Sequence, residues 1–498
     1  MTEFDIAVVG GGINGVGIAR DAAGRGLRVL LVEQNDLASG TSSASSKLIH
    51  GGVRYLEHFA FRLVREALSE REVLLRMAPH VVRPMRFALP PTPGPRCAPL
   101  IRLGLYLYDR LGDRKILPPT KTIDLSHHPL GSPLKRGYRF AFEYSDCWVD
   151  DARLVVLAAM DAAERGASVR TRTRLVRADR TATHWDLVLN MRGHRDTARA
   201  RVLVNATGAW SPQVAETVLR TPLKKPMRLV KGSHIVVRAR FDHSSGYLFQ
   251  TDKKRIVFAL PLGRDFTLIG TTDMDFVGDV NSPAPTSDEI AYLCKAVNVY
   301  FREAVTPDEV IWAFAGVRSL QDDGRGKPED VTRDYQLILE QSRDGAPLMT
   351  VYGGKITTFR RLGEEAVARV SHLFKAGAPW TRGSKLPGGE FEFDKFAEMV
   401  SEMRERWPFL TDPHARRLAG AYGLRAARIL GDATSLEELG QRFTADLTAA
   451  EVRYLMQQEW ARMPEDVLWR RTKLGLTAAS DEREVLAHFM TSEISAAS

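Results

Sequence analysis

The stretch Phe4–Glu33, FDIAVVGGGINGVGIARDAAGRGLRVLLVE, limits what this chain can fold into more than any other. Apolar Ile6–Val9 reads as a strand buried on both faces. It breaks into Gly10-Gly11-Gly12, and a helix pattern follows to about Gly24, closed by Gly26. A second apolar strand, Arg28–Val32, ends at Glu33. Strand, glycine turn, helix, strand and terminal acid is the order of a dinucleotide-binding βαβ unit. Gly10 permits the tight turn, Gly12 lets backbone approach a pyrophosphate, and Gly15 lets the helix pack closely on the sheet. The helix N-terminus offers free N–H groups and a positive dipole end to phosphates. Glu33 suits ribose hydroxyls and disfavours a 2′-phosphate. The motif alone does not separate FAD from NAD.

With 498 residues the chain has room for several domains, and its net charge of +9 suits anionic partners. No nucleic-acid-reading module is visible, so an anionic membrane surface or an anionic substrate is expected instead. Cys97, Cys147 and Cys294 are widely spaced and form no metal or redox motif. They read as isolated thiols in a reducing compartment, and no metal site is expected. The N-terminus runs straight into a core strand without a signal-peptide pattern. No apolar run is long enough to predict a transmembrane helix.

The serine-rich run Asp36–Ser46 is hemmed between a core strand and LIHGGVRYLEH, which favours an ordered phosphate- and cofactor-cradling loop over a flexible linker. A helix is predicted over Phe61–Met77. The proline-rich Pro79–Pro99 departs from the nucleotide domain, and Leu100–Leu111 follows as an apolar, aromatic and arginine-bearing segment. That segment suits either a buried cap helix or a membrane interface. VLVNATGAWS, residues 202–211, reads as a buried strand ending in a small-residue turn. Lys231–Phe276 reads as an antiparallel sheet, IWAFAGVRSL returns as a strand, and Gly353-Gly354-Lys355 opens another helix. Gly377–Gly389 reads as a linker, and residues 393–498 as helical with no catalytic motif.

GGGINGVGIARDAAGRG, TSSASSKLIHGGVRYLEH, EYSDCWVDDARL, KGSHIVV, GTTD, GVRSL, TRDY, GGKITTFR and LWRRTKLG together resemble the FAD-dependent glycerol-3-phosphate dehydrogenases, most closely the aerobic respiratory kind. The resemblance spans essentially the whole chain. It departs at Pro90–Pro99 and at Ser319, where the family usually has proline. It implies an α/β fold: a Rossmann-like FAD domain of the glutathione-reductase type, an antiparallel-sheet substrate or cap domain, and a C-terminal helical domain. The expected division gives residues 1–80, 151–230 and 321–376 to the FAD domain, and 81–150 and 231–320 to the cap. Residues 377–392 are the linker and 393–498 the helical domain.

The reaction implied is oxidation of sn-glycerol 3-phosphate to dihydroxyacetone phosphate, with electrons passing through non-covalent FAD to a membrane quinone. The implied setting is peripheral, at the cytoplasmic face of the plasma membrane, and a homodimer is among the expectations. A dianionic substrate needs concentrated positive charge, and arginine grips phosphate through two N–H groups at once. Resemblance assigns Arg54, Arg318, Arg333 and Lys355 to this role, with Tyr55 and Thr271 beside them. The C2 hydroxyl needs a proton acceptor. His234 in KGSHIVV is the first candidate and His50 the second, with Arg318 counted among the catalytic groups. Asp273 suits either orienting a base or capping a turn. FAD contacts are expected from Gly10, Gly12, Gly15, Glu33, Thr41, Ser42, Ser46, Lys47, Leu48, Gly208, Trp210, Gly354, Lys355 and Thr357. The competing readings are a glycerol-3-phosphate oxidase using O₂, an amino-acid-oxidase-like flavoenzyme, and a non-catalytic nucleotide- or membrane-binding protein.

Overall fold

The computed structural model describes residues 2–91, 98–112, 116–251, 255–322, 324, 326, 333–342 and 345–496. Residues 92–97 of the proline-rich stretch, Cys97 among them, and most of residues 323–332 lie outside the described residues.

The apolar runs of the opening stretch form the centre of an eight-stranded sheet. Thr2–Val9 pairs in parallel with Val29–Val32 on one side and with His194–Asn205 on the other. Ser168–Arg170 and Gly345–Tyr352 extend this parallel core, and Gln336–Ser342 closes one edge antiparallel. Buried on both faces, Val29–Val32 has no polar residue, as a central parallel strand requires. Thr173–Arg180 pairs antiparallel with Trp185–Met191, which in turn lies antiparallel against the outer half of His194–Asn205.

Helix Ile13–Gly24 lies between Asp151–Glu164 and Phe359–Val370 over the parallel core. Its approach is close enough that a Cβ at Gly363 would fall 2.5 Å from the Gly17 carbonyl oxygen. The expected linker is packed rather than loose. Leu386 joins the main core, and Trp380 Nε1 donates to the Asp21 carbonyl at 3.1 Å.

A second, ten-stranded sheet gathers Val82–Leu89 and Phe140–Val149 with Met227–Arg238, Gly246–Gln250, Ile256–Leu262, Phe266–Gly270 and Trp312–Gln321. Its pairings are antiparallel except Gly246–Gln250 against Val82–Leu89. Register decides the chemistry. His234 sits opposite both Gly270 and Phe314, and Val230 sits opposite Arg318. Ser319 pairs regularly with Leu229, so its departure from the family pattern leaves the strand intact.

Helix Ala98–Leu111 has two apolar faces with different fates. Ile101, Leu105 and Tyr108 are buried, whereas Leu100, Leu103 and Tyr106 are about half exposed, at 53, 54 and 51 %. Residues beyond Phe396 build their own helical core around Trp407, Leu418, Tyr422, Leu455 and Leu486. A buried ion pair between Arg153 and Glu459, with Nη2 to Oε1 at 2.9 Å, ties that unit to the first. Among the described residues no helix is long and apolar enough to cross a membrane, and no group of ligands is placed to hold a metal ion.

Candidate active site

A slot opens at the carboxyl ends of Thr2–Val9 and His194–Asn205 and runs on to the face of the second sheet. Ligands of open parallel sheets bind at this edge. Gly10, Gly12 and Glu33 line its start. Gly10 has φ +112°, a conformation only glycine adopts without strain. A Cβ at Gly15 would stand 1.9 Å from the Gly10 carbonyl oxygen, so Gly15 serves the turn from beneath rather than the slot itself. Gly12 at the N-cap has no side chain to cap the helix, so its N-terminus faces the slot with Ser42 as a neighbour.

Glu33 accepts from the Gly11 N–H at 2.7 Å and the Asn35 N–H at 2.8 Å while bordering the slot. Burial raises its pKa more than these two bonds lower it. The serine run is ordered, with Thr41–Ser43 forming one 3₁₀ turn. Thr41 donates to the Val317 carbonyl at 2.6 Å, and Ser42 Oγ accepts from the Ile13 N–H at 2.9 Å. Ser46, Leu48, Gly208 and Trp210 also line the slot. Lys47 does not. Its fully buried ammonium is bound to Asp151 at 2.7 Å and to the Ser43 carbonyl at 3.1 Å, so it braces the loop from behind. The expectation that Lys47 touches the cofactor is corrected to that extent: a charge this buried needs a paired carboxylate, and Asp151 supplies it.

The far end collects the predicted cations. Arg318, Arg333, Lys355, Tyr55 and Thr271 line it, with Gly354 and Thr357 at the turn that opens the last helix of the first unit. The two arginines converge on one carboxylate oxygen, Asp273 Oδ1, at 2.8 and 2.7 Å. Burial alone would raise the Asp273 pKa, but Arg333 and Arg318 outweigh it and hold the group below the usual carboxylate range. Arg54 lies off the wall but close enough to act on Asp273 electrostatically. Lys355 Nζ lies 3.8 Å from the Tyr55 ring centroid with no hydrogen-bond acceptor among the described residues. Burial, and then Arg333, act to depress its pKa, and the net shift is downward. Gly232 leaves the room Arg318 needs, since a Cβ there would meet its Nη2 at 2.5 Å.

The two histidines flank this cluster. His50 lines the slot directly, with Lys355 and Arg333 as its nearest cationic neighbours. His234 stands one residue behind the wall. Its Nε2 is 2.9 Å from Ser46 Oγ, which does line the slot. The His234 imidazole is buried and the His50 imidazole half-buried, and desolvation, followed by nearby cations, lowers each pKa to about 3. Both are therefore neutral near pH 7.

Asn14 and Phe258, which sequence reasoning did not select, also line the slot. Asn14 Nδ2 donates to the Gly353 carbonyl at 3.0 Å, joining the first glycine turn to the last. Its position directly after the glycine turn was the available signal; Phe258 had none. The donor set suits a dinucleotide with a redox ring. The helix terminus and Glu33 sit at one end. Towards the other, the buried atoms Asn14 Oδ1 and Lys355 Nζ have no hydrogen-bond partner among the described residues.

Comparison with known proteins agrees with this geometry. Residues 5–360 match the family model described as FAD dependent oxidoreductase. Residues 379–495 match the one described as the C-terminal domain of alpha-glycerophosphate oxidase. The chain is 49% identical to a D-erythritol 1-phosphate dehydrogenase from Brucella abortus, covering 96% of each chain. It is 45% identical to the aerobic glycerol-3-phosphate dehydrogenase of Escherichia coli, covering 98% of each. A glycerol-3-phosphate dehydrogenase from Bacillus halodurans, solved with FAD, superposes with a TM-score of 0.80 at 27% identity. That match covers 99% of this chain and 91% of the other.

Proposed function

The chain belongs to the FAD-dependent oxidoreductases and, among them, to the FAD-dependent glycerol-3-phosphate dehydrogenases, and on that premise we propose that it oxidises sn-glycerol 3-phosphate to dihydroxyacetone phosphate. Bound FAD supplies the acceptor for the hydride that leaves C2. Non-covalent binding falls to the helix terminus at Gly12 for the pyrophosphate and to Glu33 for the ribose. Thr41, Ser42 and Ser46 border the middle, and Gly354, Lys355 and Thr357 the redox end.

The observation that carries the reading is the convergence of Arg318, Arg333 and Lys355 at that redox end, the two arginines on Asp273 and the lysine beside Tyr55. Cations gathered on one wall are fit to hold a phosphate dianion. Tyr55 and Arg54 stand beside them. Gripped there, the substrate has little freedom left, and its C2 hydroxyl faces the Ser46–His234 pair. The hydroxyl proton passes through Ser46 Oγ to His234 Nε2 as the C–H bond breaks. His50, beside Lys355 and Arg333, orients the phosphate end. Water is kept out by apolar Leu48 and Phe258 on the walls.

A second substrate is favoured by one specific likeness: the relative that is 49% identical carries the name D-erythritol 1-phosphate dehydrogenase. The same phosphate grip serves a four-carbon polyol phosphate, and the difference rests with the rest of the carbon chain.

Electrons are proposed to leave to a membrane quinone. Leu100, Leu103 and Tyr106 on the helix Ala98–Leu111, together with Phe59 (80 % exposed) on the adjoining turn, form an apolar surface beside Arg102 and Arg110. Such a surface suits the interface of an anionic bilayer, where apolar groups enter and basic ones meet headgroups.

The test is anaerobic bleaching of the flavin, with glycerol 3-phosphate, D-erythritol 1-phosphate, glycerol and glycine offered separately. Bleaching by glycerol 3-phosphate but not by glycerol supports the reading. Preference for the erythritol ester moves the assignment to the longer substrate, and bleaching by glycine alone overturns both. Reoxidation by a quinone analogue much faster than by O₂ supports the dehydrogenase over the oxidase.

A further inference from the structure

The motif LWRRTKLG, residues 468–475, has no part in the slot, yet it is among the most tightly held segments of the C-terminal unit. Asp466–Arg471 forms a turn of π-helix, and the Thr472 N–H reaches back to the Val467 carbonyl at 3.0 Å. Such wide turns redirect side chains and recur near functional sites. Arg471 grips Asp36 with Nη1 at 2.8 and Nη2 at 2.9 Å, and Arg470 Nε adds a bond of 2.6 Å. Asp36 stands at the head of the serine-rich loop. Lys473 meets Asp150 at 3.3 Å, next to the Asp151 that holds Lys47 and Ser45 at the loop's other end. Gly475 leaves room for Trp469, since a Cβ there would fall 2.5 Å from the indole.

Fixed in this way, Trp469 begins a row of rings that ends at His234. Its ring centroid lies 4.5 Å from Trp312, Trp312 lies 4.4 Å from Phe314, and Phe314 stacks on His234 at 5.0 Å with planes 10° apart. Trp312 and Phe314 share one face of their strand, two residues apart. On its other side the imidazole meets Gly270, where a Cβ would be 2.1 Å from its Cδ2. The ring plane is thus set by an aromatic row on one side and bare backbone on the other. That plane decides whether Nε2 lines up with Ser46 Oγ, and hydrogen bonds weaken steeply with misalignment. The charged groups around the imidazole are Arg318, Lys47 and Asp273, and none of them lies in the row.

We propose that Trp469 is a positioning residue for His234: through Trp312 and Phe314 the C-terminal helical unit holds the imidazole plane for proton transfer. This gives that unit, which has no catalytic motif, a role in the reaction. The inference rests on reading His234 as the proton acceptor.

The test uses FAD-loaded full-length protein and anaerobic stopped-flow reduction by glycerol 3-phosphate across a range of pH. Trp469→Met fills volume without a ring plane, Trp469→Phe keeps a ring, and Trp312→Met breaks the row while every residue of the C-terminal unit stays unsubstituted. Trp469→Met and Trp312→Met should each slow reduction roughly tenfold or more, as misplacement of a reacting group does. Substrate affinity should be unchanged, the pH dependence of the rate should be displaced, and Trp469→Phe should recover most of the rate. In a His234→Gln background Trp469→Met should add nothing further. If His234→Gln slows reduction while both methionine variants keep the wild-type rate and pH profile, the positioning role is overturned and His234 stands. If His234→Gln itself reduces at the wild-type rate, the reading of His234 fails. If both methionine variants lose FAD with no change in reduction of the loaded fraction, the row is a fold element only and the proposal falls.

Discussion

Arg318 donates to Asp273 at 2.8 Å across the redox end of the slot, and Arg333 bonds to the same carboxylate oxygen. The pair fixes a guanidinium that would otherwise swing on a flexible stem. It also gives a partly shielded cation a carboxylate partner.

Arg318→Ala and Lys355→Ala should each lose substrate affinity while keeping FAD. Truncating one member of a buried charge contact costs about 2–5 kcal/mol, or roughly 30-fold or more in affinity. Titration of flavin absorbance with glycerol 3-phosphate measures it. Wild-type affinity in both variants would remove the phosphate-site assignment.

Gly270→Ala should hold FAD but react poorly. The new Cβ would fall 2.1 Å from His234 Cδ2, so the imidazole must move. Overpacking of this kind costs about 1–3 kcal/mol, read as a modest drop in melting temperature. The larger effect is on flavin reduction, which should slow far more than stability falls.

Acid should destabilise the protein well before carboxylates titrate. His80 and His234 are buried and His50 half-buried, with pKa values lowered from 6.5 to about 3, desolvation being the main cause. Folded-state values below the unfolded one mean that the unfolded chain binds more protons between those limits. Stability is therefore complete above about pH 6.5 and is lost as pH falls towards 3, on the order of 1–2 kcal/mol per histidine by pH 5. Both His80 ring nitrogens lack a partner among the described residues, so His80→Leu should flatten the fall. Melting temperature against pH for the two proteins decides; parallel curves would refute it.

Leu103→Glu, alone or with Leu100→Glu, should release the protein from anionic liposomes without changing flavin reduction in solution. Both side chains are more than half exposed, so the fold loses little. Sedimentation with vesicles at low salt reads the outcome. A wild-type protein that stays in the supernatant would end the membrane reading outright.

The first βαβ unit was legible because its signal is local. Apolar run, glycines and acid follow one another in thirty residues, and each works on its immediate neighbours. The helices Phe61–Met77 and Ile13–Gly24 and the sheet strands around His234 were read for the same reason. The inward turn of the Lys47 side chain was not legible because its partner, Asp151, is distant in sequence, and only burial reveals that the pair faces inward. The glycine-rich 377–389 looked like a linker because composition says nothing of what Trp380 and Leu386 pack against.

The sequence by itself determined the dinucleotide unit, the residue types able to hold a phosphate dianion and the family that those motifs resemble. Only the tertiary structure decided which of them meet. Arg318 and Arg333 share Asp273, His50 faces the slot while His234 reaches it through Ser46, and Trp469 lies in one aromatic row with His234. The physical reason is that strand register and interdomain packing bring together residues far apart in the chain. No propensity or local pattern encodes the distance between Trp469 and Trp312.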